Sequence, residues 1–312
     1  MLLTEEREIL HGLWKTSCVF DKKTNSAAAG DSWQRQVHVL YTLGIGIEET
    51  LRYLYYNKPQ YDEFIKWIGE RKQQALPDIL QQEPAEVLSP ADLDFWRQNG
   101  YLVVKNVISH RQCADTQQAI WDFLQMDPDN PASWYKPHEE LRGLMLLFTH
   151  HATLEANRNS PVIRKAYEQL YESTQIYKSI DKVSFNPPET ESFSFCGSPL
   201  HWDVSLQMPV PYQLQGLLYL TDCDAEGGAF HCVPGFHHEI ARWLEGLPAG
   251  SNPREEAIRL LKPTPVPGRA GDLVVWHQAL PHCATPNRGA RPRMVQYITY
   301  LPARHKAEKN WI

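Results

Sequence analysis

Apolar and polar positions along the chain fall into two textures that meet near residue 85. In the first part, Val37, Leu40, Leu43, Ile47, Leu51 and Leu54 recur at helical spacing. After Pro59, a second apolar set comes as Tyr61, Phe64, Trp67 and Ile68. The stretch from Gln73 to Pro84 is rich in Gln and Pro and reads as a linker. We therefore expect an N-terminal helical extension over 1–86 and a second domain over 87–312. That domain opens at Ser89-Pro90-Ala91-Asp92, where Ser at N-cap, Pro at N1 and an acid at N3 predict a helix start. Leu93, Phe95 and Trp96 belong to this helix, Gly100 ends it, and Tyr101–Ile108 reads as a strand. Ser160-Pro161 repeats the start and predicts a helix through about Tyr171. Beyond Ile176 short strands are expected near 177–186, 200–208, 213–221, 229–233, 272–277 and 293–301, with no helix after about 245. Together these patterns predict a mainly β core with flanking helices (α+β), closed as a sandwich or barrel.

Composition narrows the partners. The 312 residues are 42% apolar and 22% charged, with a formal net charge of -6 and a pI near 6.1. That balance offers no long-range attraction for nucleic acid or an anionic membrane surface. No apolar run is long enough for a membrane span. The opening MLLTEEREIL is acidic where a signal peptide would be basic, and the ending EKNWI matches no common address signal. The six cysteines contain no C-x-x-C pair and read as reduced thiols of a cytoplasmic protein, although Cys223 and Cys232 could pair across neighbouring strands. The N-terminal helices carry no chemistry of their own. They read as a cover or an arm for a homodimer, or equally as a plain structural extension.

Candidate chemistry begins at His201-Trp202-Asp203. On a strand, residues i and i+2 share a face, so an imidazole and a carboxylate are presented together. With 13 histidines in the chain, on the order of one such H-x-D arises by chance. A third ligand would come from Gly271-Asp-Leu-Val-Val-Trp-His277-Gln-Ala-Leu-Pro-His282, which offers two histidines. Two His and one carboxylate leave three open positions on iron, room for a bidentate cosubstrate and O2. His277 ends a strand pattern, where a histidine is usually structural. His282 is favoured because three arginines, Arg288, Arg291 and Arg293, stand shortly after it. A buried Arg suits the far carboxylate of a dicarboxylate cosubstrate, since its planar guanidinium binds bidentately and stays charged. Arg293 leads into the strand pattern Met294–Tyr300, whereas the other two fall in a turn.

These motifs together resemble the phytanoyl-CoA dioxygenase family. The residues that carry the likeness are His201-x-Asp203, Gly227-Gly228 through His237, Gly271–His277, and His282 with an Arg eleven residues later. Leu88–Lys105 also resembles the family's opening helix and first strand. The resemblance runs from about 88 to 303 and leaves the first 85 residues outside. It implies a double-stranded β-helix (jelly roll, cupin-like) and an Fe(II)/2-oxoglutarate-dependent dioxygenase that consumes O2. It also implies His201, Asp203 and His282 as iron ligands and Arg293 as the partner of the 2-oxoglutarate C5 carboxylate. Lys182 and Ser184, on one face of a strand resembling one that contacts the cosubstrate, are further candidates. His237 and His238 would be structural. Two positions depart from the family pattern. Ala284 stands where a small hydroxyl residue is frequent, with Thr285 next to it, and Leu217 or Tyr219 stands where a Trp is frequent.

The implied reaction oxidises an unactivated C–H bond of a small-molecule metabolite and releases succinate and CO2. Related halogenases carry Gly or Ala in place of the Asp, so Asp203 favours hydroxylation or another halide-free outcome: dealkylation, desaturation or ring formation in natural-product biosynthesis. Two readings compete: a non-catalytic β-sandwich metal or ligand-binding protein, and a non-oxidative metal hydrolase or isomerase on a cupin-like barrel. The segment 134–160 is expected to contribute to the pocket wall. Within it His150, His151 and Arg158 could meet a polar substrate, though surface placement is favoured for each.

Overall fold

The computed structural model describes residues 2–18, 29–74 and 84–303. Four helices come first: α1 (Thr4–Cys18), α2 (Ala29–Thr42), α3 (Ile47–Asn57) and α4 (Tyr61–Gln74). The helical period from Val37 to Leu54 is divided between α2 and α3, where Gly44 takes φ 74°, in the left-handed region that favours Gly. Leu10, Leu13, Leu40, Leu54, Phe64 and Ile68 pack into a core separate from the rest. Most of the Gln73–Pro84 linker lies outside the described residues.

The second part opens on α5 (Pro90–Asn99), whose start is the expected capping box. Ser89 Oγ accepts from the Asp92 N–H at 3.2 Å, and Asp92 accepts from the Ser89 N–H at 2.9 Å. Next come α6 (His110–Leu124), α7 (Ala152–Arg158), α8 (Pro161–Tyr171), α9 (Phe236–Glu245) and α10 (Pro253–Leu260). The last corrects the expectation of no helix after about 245. Asn252 caps it, Pro253 occupies N1, and Glu255 and Glu256 sit in its first turn. These start signals outweigh its thin apolar face.

The strands are β1 (Tyr101–Val104), β2 (Leu141–Arg142), β3 (Met145–Leu146), β4 (Ile176–Lys178), β5 (Val183–Asn186), β6 (Leu214–Tyr219), β7 (Phe230–Cys232), β8 (Thr264–Val266), β9 (Leu273–His277), β10 (His282–Cys283), β11 (Arg293–Tyr297) and β12 (Tyr300–Pro302). Seven form an antiparallel sheet in the order β1-β9-β6-β11-β5-β3-β2, and three form a second sheet, β10-β7-β8. The predicted strands 177–186 and 293–301 each divide in two, and β4 pairs with β12 apart from the large sheet. The predicted strand 200–208 is absent; only His201 pairs there, in a single bridge. All six cysteines are free thiols, so Cys223 and Cys232 are not joined.

Both faces of the large sheet are covered. Leu218, Leu273, Val275 and Met294 point toward the helices, joining Trp121, Ile163 and Tyr167. Their neighbours Leu217, Tyr219, Val274, Trp276 and Val295 point the other way and pack with Phe230, Cys232 and Val266 of the small sheet. The space between the sheets holds the candidate site.

His277 closes β9 in a structural cluster. Its Nδ1 accepts from the Ala279 N–H at 2.9 Å, and its ring centroid lies 5.4 Å from that of His237. His237 and His238 both set Nε2 against the Arg97 carbonyl oxygen. Burial, reinforced by those two neighbours, pushes His277 down to about 4.

This packing leads to two predictions. An unfolded histidine titrates near 6.5, so between about 6.5 and 4 the unfolded chain binds the His277 proton first and stability falls with pH. Urea unfolding should show His277→Asn losing about 2 kcal/mol less than wild type between about pH 7 and pH 5; equal losses would contradict this. In β6, a Cβ on Gly216 would lie 2.1 Å from the Tyr167 hydroxyl and 2.7 Å from the Ile298 carbonyl oxygen. Gly216→Ala should therefore cost about 1–3 kcal/mol by overpacking. Gly69, within α4 with nothing inside 4 Å, should give the opposite sign, a gain of about 0.5–1 kcal/mol as Ala. Denaturant midpoints of the two variants check the pair.

Candidate metal and cosubstrate site

His201 and His282 are brought side by side by an antiparallel bridge, each N–H donating to the other's carbonyl oxygen at 2.9 Å. Trp202 turns away and donates from Nε1 to the Ala279 carbonyl oxygen at 2.9 Å. Although the segment is no strand beyond that bridge, Asp203 comes back to the side of His201. The nearest ligand atoms of His201, Asp203 and His282 all lie within 4.8 Å of one another. Nε2 of His201 is 3.5 Å from Asp203 Oδ1, and Nε2 of His282 is 3.2 Å from Asp203 Oδ2.

The far side of each imidazole determines what the near side offers. His201 Nδ1 lies 2.7 Å from the Pro199 carbonyl oxygen, and His282 Nδ1 lies 3.1 Å from that of Leu280. A carbonyl only accepts, so each Nδ1 carries hydrogen, and in a neutral ring each Nε2 presents a lone pair toward Asp203. Lone pairs facing a carboxylate repel unless a cation or added protons lie between them. Burial acts to raise the Asp203 carboxyl. Hydrogen bonds with His201, His282 and Gln215 outweigh it and hold the group well below the usual carboxylate range. For His201, burial favours the neutral ring, but the contacts with Asp203 and the Pro199 carbonyl oxygen together outweigh it and raise it. The donor set is thus anionic at its centre, with two nitrogens aimed inward, and it suits a divalent metal.

A cavity of about 400 Å³ opens over these residues, walled by Leu217, Phe230, Trp276 and Tyr297 and reached also by Arg293. Arg293 is 2% exposed. Its guanidinium stacks over the Tyr219 ring at 5.9 Å, its Nη1 is 3.5 Å from Ser184 Oγ, and its Nε has no partner. No carboxylate of the described residues pairs with it. Arg158, equally buried, makes the contrast: it binds Glu155 and the carbonyl oxygens of Thr149 and Asp181. Nε is without a partner in both; the difference is that the Arg158 charge is met by a carboxylate of the fold, whereas Arg293 reaches a cavity and is paired with none.

Several expected residues take other places. Arg158 is internal, which corrects its surface assignment; burial disfavours its charge, and Glu155 one turn earlier in α7 compensates it. His150 meets Glu49 at 2.5 Å, and His151 caps α7. Arg288 pairs with Glu226 at the surface, while Arg291 reaches the Pro128 carbonyl oxygen. His277 lies outside the triad. Lys182 lines the cavity, but its Nζ is held by Glu48 of α3 at 2.5 Å. Ser184 faces the cavity, whereas the Thr285 hydroxyl donates to the Ala229 carbonyl oxygen at 3.3 Å and does not line it. Within 134–160, as expected, Arg142 to Met145 form part of the wall. Sequence reading passed over Gln215, whose Nε2 donates to Asp203 Oδ2 at 2.9 Å. Its signal was available: it is the polar member of the inward set Gln215, Leu217 and Tyr219.

Known proteins resemble this chain in sequence and in fold. A Dictyostelium discoideum protein that carries the phytanoyl-CoA dioxygenase name is 22% identical over 277 residues, covering 70% of this chain and 79% of its own. Among solved structures, the non-heme alpha-ketoglutarate-dependent carbocyclase SnoK from nogalamycin biosynthesis matches with a TM-score of 0.53 at 19% identity, over 73% of this chain and 90% of its own. That likeness shows a shared fold. HygX from Streptomyces hygroscopicus, solved with nickel and 2-oxoglutarate bound, matches at 16% identity and a TM-score of 0.49, over 69% and 87% of the two chains. The phytanoyl-CoA dioxygenase (PhyH) family description matches residues 96–295, most of the second part of the chain. The chain therefore belongs to the phytanoyl-CoA dioxygenase family, and it is an Fe(II)- and 2-oxoglutarate-dependent oxygenase.

Proposed function

We propose that this protein hydroxylates an unactivated C–H bond of a small-molecule metabolite on a double-stranded β-helix core, with iron held by His201, Asp203 and His282. The observation that carries this reading is Arg293, a buried guanidinium without a carboxylate partner, in the same cavity as a His-Asp-His cluster. Iron, 2-oxoglutarate and O2 supply the oxidising power when bound, with succinate and CO2 as by-products. The rest of the work falls to the chain. Nε2 of both histidines and one Asp203 oxygen bind the metal, and the Nδ1 contacts keep the rings in orientation. Arg293 binds the distal carboxylate of the cosubstrate through its free donors, with Ser184 Oγ beside it. Leu217, Phe230 and Trp276 exclude water from the reacting centre. Asp203 occupies the place that a halide would need, which supports hydroxylation.

We infer that 1–86 is a helical extension and 87–312 the oxygenase domain, a division supported by the separate N-terminal core. Exposed Tyr55 and Tyr56 on α3 support a homodimer through these helices. The free thiols support a cytoplasmic location. No helix of the described residues is long and apolar enough to cross a membrane.

Purified protein supplied with Fe(II), 2-oxoglutarate and air should form succinate and add one oxygen atom to a metabolite found by untargeted mass spectrometry. A product lacking two hydrogens, or a ring-closed one, would replace hydroxylation by another oxidation. Anaerobic Fe(II) with 2-oxoglutarate should give a visible metal-to-ligand charge-transfer band, lost in His282→Ala; its persistence there would remove His282 from the metal. Arg293→Leu should raise the KM for 2-oxoglutarate at least about 30-fold, corresponding to about 2 kcal/mol for a truncated charge pair. An unchanged KM would move the cosubstrate elsewhere.

A further inference from the structure

We infer that Gln215 is the positioning residue that sets the Asp203 carboxylate for the metal, and that Trp276 in turn sets Gln215. This rests on the reading of His201, Asp203 and His282 as the metal ligands. Gln215 on β6 and Trp276 on β9 are direct cross-strand partners, both on the face that looks into the cavity. Their side chains meet: Trp276 Nε1 donates to Gln215 Oε1 at 2.9 Å. An indole N–H only donates, so the atom it meets must be the amide oxygen. The usual ambiguity of an amide's orientation is removed by that contact. The amide nitrogen is left on the other side, donating to Asp203 Oδ2 at 2.9 Å.

One end of the relay is firm and the other needs holding. Trp276 is 2% exposed and packs between Phe230 and His282, with ring centroids 4.4 and 5.1 Å away. Asp203 is half-exposed, with 51% of its side chain accessible, and lies in an irregular segment instead of a strand. Its terminal torsion is of the broad, two-fold kind that neighbours must restrict. When the histidines serve as ligands, their Nε2 atoms donate nothing to Asp203. Among the described residues, Gln215 is then the side chain outside the triad that holds the carboxylate. It secures one oxygen and leaves the other directed at the metal. The inserted amide also explains why a polar side chain stands on an otherwise apolar inward face, beside Leu217 and Tyr219.

The test is Co(II) binding to metal-free protein, without cosubstrate or substrate, measured by calorimetry. Gln215→Leu should weaken Co(II) binding about 10-fold or more, the effect of losing a partner of a metal ligand. Gln215→Asn, too short to span Trp276 and Asp203, should do the same and guards against a folding defect in the first variant. Trp276→Phe should shift affinity in the same direction, and the double variant with Gln215→Leu should be no weaker than Gln215→Leu alone, because the two act in series. Wild-type affinity in both Gln215 variants, or additive losses in the double variant, would overturn the inference. His282→Ala separates the underlying reading: if it binds Co(II) like wild type, the triad is not the metal site. If only His282→Ala loses binding, the triad stands and the relay falls.

Discussion

Successive side chains on a strand point to opposite faces, and this two-residue period organises the second part of the chain. On β6, β9 and β11, one set of side chains packs beneath the helices and the alternate set enters the space between the sheets. Gln215, Trp276 and Arg293 are all members of the inward set. A register slip of one residue would send Arg293 under the helices and Met294 into the cavity, exchanging a needed cation for a thioether. The site therefore depends on register, and register is secured by the apolar residues beside each functional one. Leu217, Val274 and Val295 make the placement of their polar neighbours unavoidable.

The site is costly to the fold in a way its surroundings are not. Arg158 and Arg293 are both buried, yet only Arg158 is supplied with a carboxylate and carbonyl oxygens from its own chain. An uncompensated buried cation is tolerated where a ligand will complete it. Asp203 is in the converse position: two imidazoles and an amide surround it and keep it charged. The two ends of the cavity are thus held with opposite charge, one suited to a metal cation and the other to a carboxylate.

The N-terminal helices contribute to the cavity indirectly. α3 presents three polar contacts to the rest of the chain: Glu48 to Lys182, Glu49 to His150, and Arg52 to Glu140 through two hydrogen bonds. The Lys182 contact bears most on the site, since it engages a lysine at the cavity wall with a carboxylate of the fold. The charge of the wall, to which Arg142 and Arg293 also contribute, is thus set partly by a segment outside the family match.

Much of this was legible along the chain because it depends on short-range chemistry. The capping box at Ser89, the helix at Pro161, the strands around Leu214 and Leu273, and the spacing from His282 to Arg293 all arise from local rules. His201, Asp203, His282 and Arg293 could be proposed before any fold was known, because ligand chemistry restricts which residue types serve. What only the tertiary structure decided concerns partners distant in sequence. His201 adjoins His282 through a bridge, not through the strand expected at 200–208, and Arg158 is internal because Glu155 and the Asp181 carbonyl oxygen receive it. Lys182 belongs to Glu48, which lies 134 residues away. Gln215 stands out in the sequence as a polar member of an apolar inward set, but its partners Asp203 and Trp276 were decided only when β6 and β9 lay side by side. A sequence shows which groups are present and how they alternate, whereas long-range pairing decides which of them meet.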